Sequence, residues 1–305
     1  PIALLVLLAA GYRFYRIAFF PKVFPAMETL KMELDGERLL NYPEIETWAR
    51  EVIHIHSPYG YELFGYFYPV KDSQKTVIIS HGITISLYGS LKYAPIFRQH
   101  GFNVLVYDNR FHGHSGGRAC TFGYYEKFDL KAVVDWVIDR FGSDAVIGTH
   151  GESLGASITL QHAAIDSRIA FAISDCPFSD LDQLFRLRLR KDYHLPIFPL
   201  LPLCGWIARQ LLNFNYKEVS PIQKIGAVET PVLFIHGDHD TYIPPSMSVD
   251  MHRRKIRGVR AIYLAKNAKH AEALVVDREM YQARVDEFLS SIGQIAAVAE
   301  SRYLV

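Results

Sequence analysis

The chain has 305 residues, half of them apolar and 21% charged, ordinary proportions for a globular protein with room for a sizeable core. Its 33 basic and 32 acidic side chains nearly cancel, which argues against a broad nucleic-acid-binding surface. The three cysteines, Cys120, Cys176 and Cys204, have neither metal nor redox spacing, and only one pairing, Cys176 with Cys204 in an oxidising compartment, is left open.

The first ten residues are wholly apolar, and Gly11-Tyr12-Arg13-Phe14-Tyr15-Arg16 then brings in charge and aromatic rings. Ten residues fall far short of the roughly 20 that span a bilayer as a helix. Residues 1–25 are nonetheless read as the tail of a membrane anchor, with Tyr12, Arg13, Tyr15 and Arg16 at the interface, ahead of a core-packing helix. Arg13, Arg16 and Lys22 then put the rest of the chain on the cytoplasmic side.

Residues 51–57 alternate in polarity and, with 61–68 beyond Pro58-Tyr59-Gly60, predict a hairpin. The short apolar run 75–80 predicts a strand buried on both faces. A helical stretch at 90–98 precedes Gly101, and a strand follows over 102–107. Leu130, Val133, Val134, Val137 and Ile138 lie at helical spacing within 128–141, with Gly142 as the stop. Further strands are predicted at 145–148, 169–174, 231–236 and 259–264, and a last helix from about 272 to 292. This alternation predicts an α/β fold: a mostly parallel sheet opened by an antiparallel hairpin, with helices on both faces.

Residues 176–220 break the pattern. They are rich in proline, aromatic and basic residues and far longer than an ordinary connection. An insertion there, at the carboxyl ends of parallel strands, predicts a helical cap over a ligand site. Phe178, Leu181, Phe185 and Trp206 are its candidate pocket residues, suited to a hydrophobic group. Arg186, Arg188 and Arg190 are read as a solvated face.

The chemistry-bearing residues follow strands. Gly151-Glu152-Ser153-Leu154-Gly155 lies between a strand and a helix, where flanking glycines permit a sharp turn that lifts a hydroxyl clear of the backbone. His236-Gly237-Asp238-His239-Asp240 follows a later strand, and His270 the last one. A serine hydroxyl needs a base to take its proton as it attacks, and an acid to orient that base. Ser153, Asp240 and His270 supply nucleophile, acid and base.

With His81-Gly82-Ile83-Thr84 after an earlier strand, these motifs resemble the α/β-hydrolase superfamily, in its serine esterase/peptidase-like branch, across a domain of residues 45–295. The resemblance implies an oxyanion hole from the backbone N–H groups of Leu154 and Ile83, and its H-G-x-x-D pattern favours Asp240 over Asp238. It makes residues 108–115 a structural loop and His81 a support beneath the oxyanion loop. Glu152 is read as a support of the serine turn. His54 and His56 share one face of an early strand and are read as solvent-exposed. His236, His239, Asp240, His112 and His114 fit no standard zinc spacing, so neither metal nor cofactor is expected. The expected activity is hydrolysis of a carboxylic ester through an acyl-enzyme on Ser153, with a small-molecule acyl substrate. Thioesterase, peptidase and non-catalytic binding or scaffold protein are the alternatives.

Overall fold

The computed structural model describes residues 2–296. Eight strands form one sheet in the order β1-β2-β4-β3-β5-β6-β7-β8. They are β1 (Glu51–His56), β2 (Glu62–Tyr68), β3 (Lys75–Ser80), β4 (Asn103–Tyr107), β5 (Val146–Glu152), β6 (Phe171–Asp175), β7 (Val232–Gly237) and β8 (Arg260–Ala265). The β1–β2 and β2–β4 pairs are antiparallel and the others parallel. This is the predicted α/β-hydrolase architecture. β3, β4 and β7 are buried almost throughout, because helices cover both of their faces, whereas the edge strand β1 alternates.

Before the sheet come α1 (Ile2–Phe19), α2 (Ala26–Asp35) and the short α3 (Tyr42–Ile45). Within it follow α4 (Ala94–Arg98), α5 (Glu126–Phe141) and α6 (Leu154–Ala163). The insertion supplies α7 (Leu181–Tyr193) and α8 (Leu200–Leu212), followed by α9 (Pro221–Lys224), α10 (Ser246–Arg254), α11 (Ala273–Val276) and α12 (Arg278–Ser291). Successive β3 residues feed opposite cores. Ile78 joins Leu63, Leu105 and Val133 on the α5 face, and Val77 and Ile79 join Phe97, Tyr281 and Phe288 on the α12 face.

Two local expectations change. The last helix is interrupted at Asp277, which leaves helical geometry and caps α12 by accepting the Met280 N–H at 2.9 Å. The stretch before Gly101 is a 3₁₀ turn over Leu87–Tyr93 that continues into α4.

The N-terminal segment departs most from expectation. Among the described residues no helix is long and apolar enough to cross a membrane, and the structure lends no support to N-terminal membrane association; Pro1 lies outside the described residues. Tyr15, expected at an interface, is buried, and Phe19 packs its ring edge-on against Phe122, Phe185 and Phe214. Gly11 is in close contact with α8, where a Cβ would lie 2.5 Å from Leu203 Cδ2. The aromatic second half of α1 meets the cap, whereas Ile2, Leu5 and Val6 of its apolar first half stay exposed.

Candidate active site

β3 lies between β4 and β5, so Ser80 pairs with Tyr107 on one side and Gly151 on the other. Chain connections leave in opposite directions at this switch point, opening a crevice at the carboxyl ends. Ser153 stands there between β5 and α6 with φ +54° and ψ −108°, a backbone conformation that costs a non-glycine residue energy. Close approach imposes it. A Cβ on Gly151 would lie 2.2 Å from the Gly155 carbonyl carbon, and one on Gly155 2.0 Å from the Ser80 carbonyl oxygen. The Ser153 N–H donates to the Asp175 carbonyl at 2.8 Å, which ties the turn to β6.

His270 reaches Ser153 from the loop after β8, with Nε2 2.9 Å from Oγ. Its Nδ1 lies 2.6 Å from Asp240 Oδ2. The other Asp240 oxygen accepts the N–H groups of Tyr242 and Ile243, each at 2.8 Å. Burial alone would raise the Asp240 carboxyl, but hydrogen bonds from His236 and His270 and the Ile243 N–H outweigh it and hold it well below the usual carboxylate range. An ionised Asp240 only accepts, so His270 carries its proton on Nδ1 and leaves Nε2 free to accept from Ser153. Asp238, the rival acid, turns away and accepts the Asn267 N–H at 2.7 Å.

His236 has a place that the sequence reading gave it only as part of a rejected metal motif. Its Nε2 lies 2.9 Å from the Ile243 carbonyl and 3.2 Å from Asp240 Oδ2, both acceptors, and its Nδ1 meets Ser248 Oγ at 2.7 Å. The buried ring is a bracket for Asp240. His239 points outward to Asp238.

Ile83 and Leu154 both border the cavity that Ser153 faces. Leu154 opens α6, where N–H groups have no intrahelical acceptor. The loop carrying Ile83 is braced from beneath. His81 Nδ1 donates to the Gly82 carbonyl at 2.7 Å, while its Nε2 accepts the Asn109 N–H at 2.9 Å. Burial lowers its pKa to about 3, which keeps the ring neutral. His112 Nε2 accepts the Thr84 N–H at 3.3 Å. From the other side, the Phe24 N–H, just past α1, donates to the Thr84 carbonyl at 2.8 Å. His54 and His56 are exposed and lie beside Glu62.

A buried charged network backs the serine turn. Glu152 Oε2 lies 2.6 Å from Lys92 Nζ and 2.6 Å from the Tyr93 hydroxyl. Lys92 also stands 3.7 Å from Glu33 of α2. Asp175 sits beside them, its carboxyl pushed up to about 7 by burial and the Glu152 charge. Sequence periodicity gave no sign of Lys92 or Glu33, because nothing in their neighbourhood marks a buried ion pair.

The cavity above Ser153 measures about 220 Å³ and is mainly apolar. Two of the four candidate pocket residues, Phe178 and Phe185, line it. Leu181 is instead buried in the core beneath the cap, and Trp206 is 57% exposed on the outer side of α8. Apolar character announced both but said nothing of direction. Arg188 also departs from the solvated-face reading. It borders the cavity, stacks over the Tyr242 ring at 4.6 Å and lies 3.3 Å from Asp192. Phe14, Ile17, Ala18 and Pro21, all assigned to the presumed anchor, form another wall. The cysteines are buried and free, with Cys204 at the cavity. Among the described residues no cluster of three or more His, Cys, Asp or Glu is arranged to hold a metal.

Comparison with known proteins gives a consistent picture. The family described as alpha/beta hydrolase fold matches residues 75–195. The uncharacterized protein YqkD of Bacillus subtilis is 37% identical over 287 residues, covering 93% of each chain. Protein bem46 of Schizosaccharomyces pombe is 23% identical over 248 residues, 80% of this chain and 76% of that one. Among solved structures, the Pyrococcus furiosus esterase Pf2001 superposes with a TM-score of 0.68 at 25% identity, over 82% of this chain and 95% of that one.

Proposed function

The chain belongs to the α/β-hydrolase superfamily, and we propose that within it the protein is a serine hydrolase that cleaves a carboxylic ester through an acyl-enzyme on Ser153. The observation that carries this reading is the unbroken relay from Ser153 Oγ through His270 to Asp240, with spacings of 2.9 and 2.6 Å, under an apolar cavity. A non-catalytic binding protein has no need of such a relay.

In the proposed reaction His270 Nε2 takes the Ser153 proton as Oγ attacks the ester carbonyl. The imidazolium that forms faces the Asp240 carboxylate, which stabilises it without taking its proton. Negative charge developing on the carbonyl oxygen meets the N–H groups of Ile83 and Leu154, and loss of one such donor costs around 3 kcal/mol of transition-state stabilisation. Collapse of the intermediate breaks the ester C–O bond, and His270 protonates the departing alkoxide. Water, deprotonated by the same histidine, then releases the acid and regenerates Ser153. Thioester and amide cleavage would follow the same path. The apolar cavity and the likeness to an esterase favour the oxygen ester.

The test is labelling with a fluorophosphonate probe and hydrolysis of p-nitrophenyl esters. Wild type is expected to label and turn over, and Ser153→Ala to do neither while melting within a few degrees of wild type. A folded wild type that neither labels nor hydrolyses any ester would remove the nucleophile assignment.

A further inference from the structure

The cavity and the seating of α1 together restrict the acyl group, granted the hydrolase reading above. We infer that the cavity is an acyl slot walled on one side by α1, that it takes an acyl chain of about eight carbons, and that Phe14 and Ala18 set the accepted length.

Three observations converge. First, the cavity follows α1 from Pro21, near the oxyanion loop, to Phe14, whose ring meets Tyr193 edge-on at 5.1 Å. The helical part of this path, Phe14–Phe19, rises about 7.5 Å at 1.5 Å per residue, and the turn to Pro21 brings it to roughly 10 Å, comparable to an extended acyl chain of about eight carbons.

Second, the facing wall is apolar and helical. Leu184, Phe185 and Leu189 of α7 present one face to the slot, and Leu201 and Cys204 of α8 complete it. The Cys204 thiol, pushed up to about 12 by burial, stays uncharged at neutral pH and behaves as an apolar side chain.

Third, α1 is held in place at both ends of the slot. Gly11 abuts Leu203, and the Phe24 N–H reaches the Thr84 carbonyl beside Ile83. The wall that measures the chain is thereby attached to the loop that would bind the oxyanion. The carbonyl end of the acyl group is placed at Ser153 and its methyl end toward Phe14.

The experiment measures kcat/KM over p-nitrophenyl esters from acetate to myristate for wild type, Ala18→Phe, Phe14→Ala and Trp206→Ala. Octanoate binding is measured in parallel by calorimetry on Ser153→Ala, with and without Ala18→Phe. Wild type is expected to peak near octanoate, each added methylene up to that length raising kcat/KM severalfold. Ala18→Phe fills the slot and lowers the octanoate-to-acetate ratio at least tenfold, and in the Ser153→Ala background it abolishes octanoate binding. Phe14→Ala moves the peak to longer chains, a gain that misfolding cannot imitate. Trp206→Ala, outside the slot, leaves the profile as in wild type. A wild-type preference for acetate that declines steadily with length overturns the inference. So does a wild-type profile in folded Ala18→Phe or Phe14→Ala. Failure of probe labelling together with retained octanoate binding removes the hydrolase reading and leaves the slot standing.

Discussion

Asp240 commits both of its carboxylate oxygens, one to the N–H groups of Tyr242 and Ile243 and the other to His270 and His236. An amide in its place would present its NH₂ group either to those backbone donors or to the imidazole, and the second arrangement selects the wrong histidine tautomer. Asp240→Asn is therefore expected to lower kcat by about 10³- to 10⁴-fold, with KM changed little. Asp238→Asn, which faces Asn267 instead, leaves kcat within threefold of wild type. Steady-state kinetics on the two variants settle the assignment, and equal losses would refute it. The two aspartates stand two residues apart in one turn. The motif pattern favoured Asp240, and only backbone geometry shows which carboxylate turns inward. Direction also separates the cap residues. Leu184, Phe185, Arg188, Leu189 and Asp192 recur at helical spacing and share the face of α7 that borders the cavity. That periodicity was present in the sequence, and it places Arg188 with the leucines instead of with Arg186 and Arg190.

At the scale of elements, α2 is fastened to the turn that carries Ser153 by charge. Glu33 of α2 and Glu152 before Ser153 both approach Lys92, and all three side chains are nearly inaccessible to water. A buried ion group of this kind adds little over apolar residues of the same shape, but removal of one member strands the others. Lys92→Met is expected to cost about 3–5 kcal/mol at pH 7, read from the urea midpoint, and Lys92→Met with Glu152→Gln to recover part of it. A loss below about 1 kcal/mol would mean that water reaches the network. The central strands were legible because burial on both faces leaves continuous apolar runs, and β3, β4 and β7 fall where such runs predict them. The role of α1 was not legible. The apolar residues of its second half suit a lipid and a protein neighbour equally, and their packing depends on Leu203 and Phe214, about two hundred residues away along the chain.

Across the whole molecule, buried carboxyls and buried histidines pull stability in opposite directions as pH changes. Burial raises the Asp108 and Asp129 carboxyls to about 6, and burial with the Glu152 charge raises Asp175 to about 7. The folded state therefore holds protons there that the unfolded state, with carboxylates near 3.9, has released. Their contribution is present below about pH 4 and is lost as pH rises toward 7. His81 and His150 behave oppositely. Burial lowers both to about 3, so between pH 6.5 and 3 the unfolded state binds protons that the folded state refuses. Their contribution is present above about 6.5 and is lost as pH falls. His112 and His162 are lowered in the same direction. Between pH 7 and about 4.5 the two sets offset one another. Below about 4 the unfolded carboxyls are protonated as well, their opposing effect ends, and the histidines act alone. The depressed Asp240 carboxyl then adds to the loss, because its stabilisation disappears as pH falls below the unfolded value. Thermal melts should accordingly give a midpoint nearly constant from pH 7 to 5 and falling steeply below pH 4. A steady decline beginning at pH 7 would mean that the histidines go unopposed. Replacing Asp175 by Asn removes one opposing carboxyl and should produce a shallow decline of that kind between pH 7 and 5.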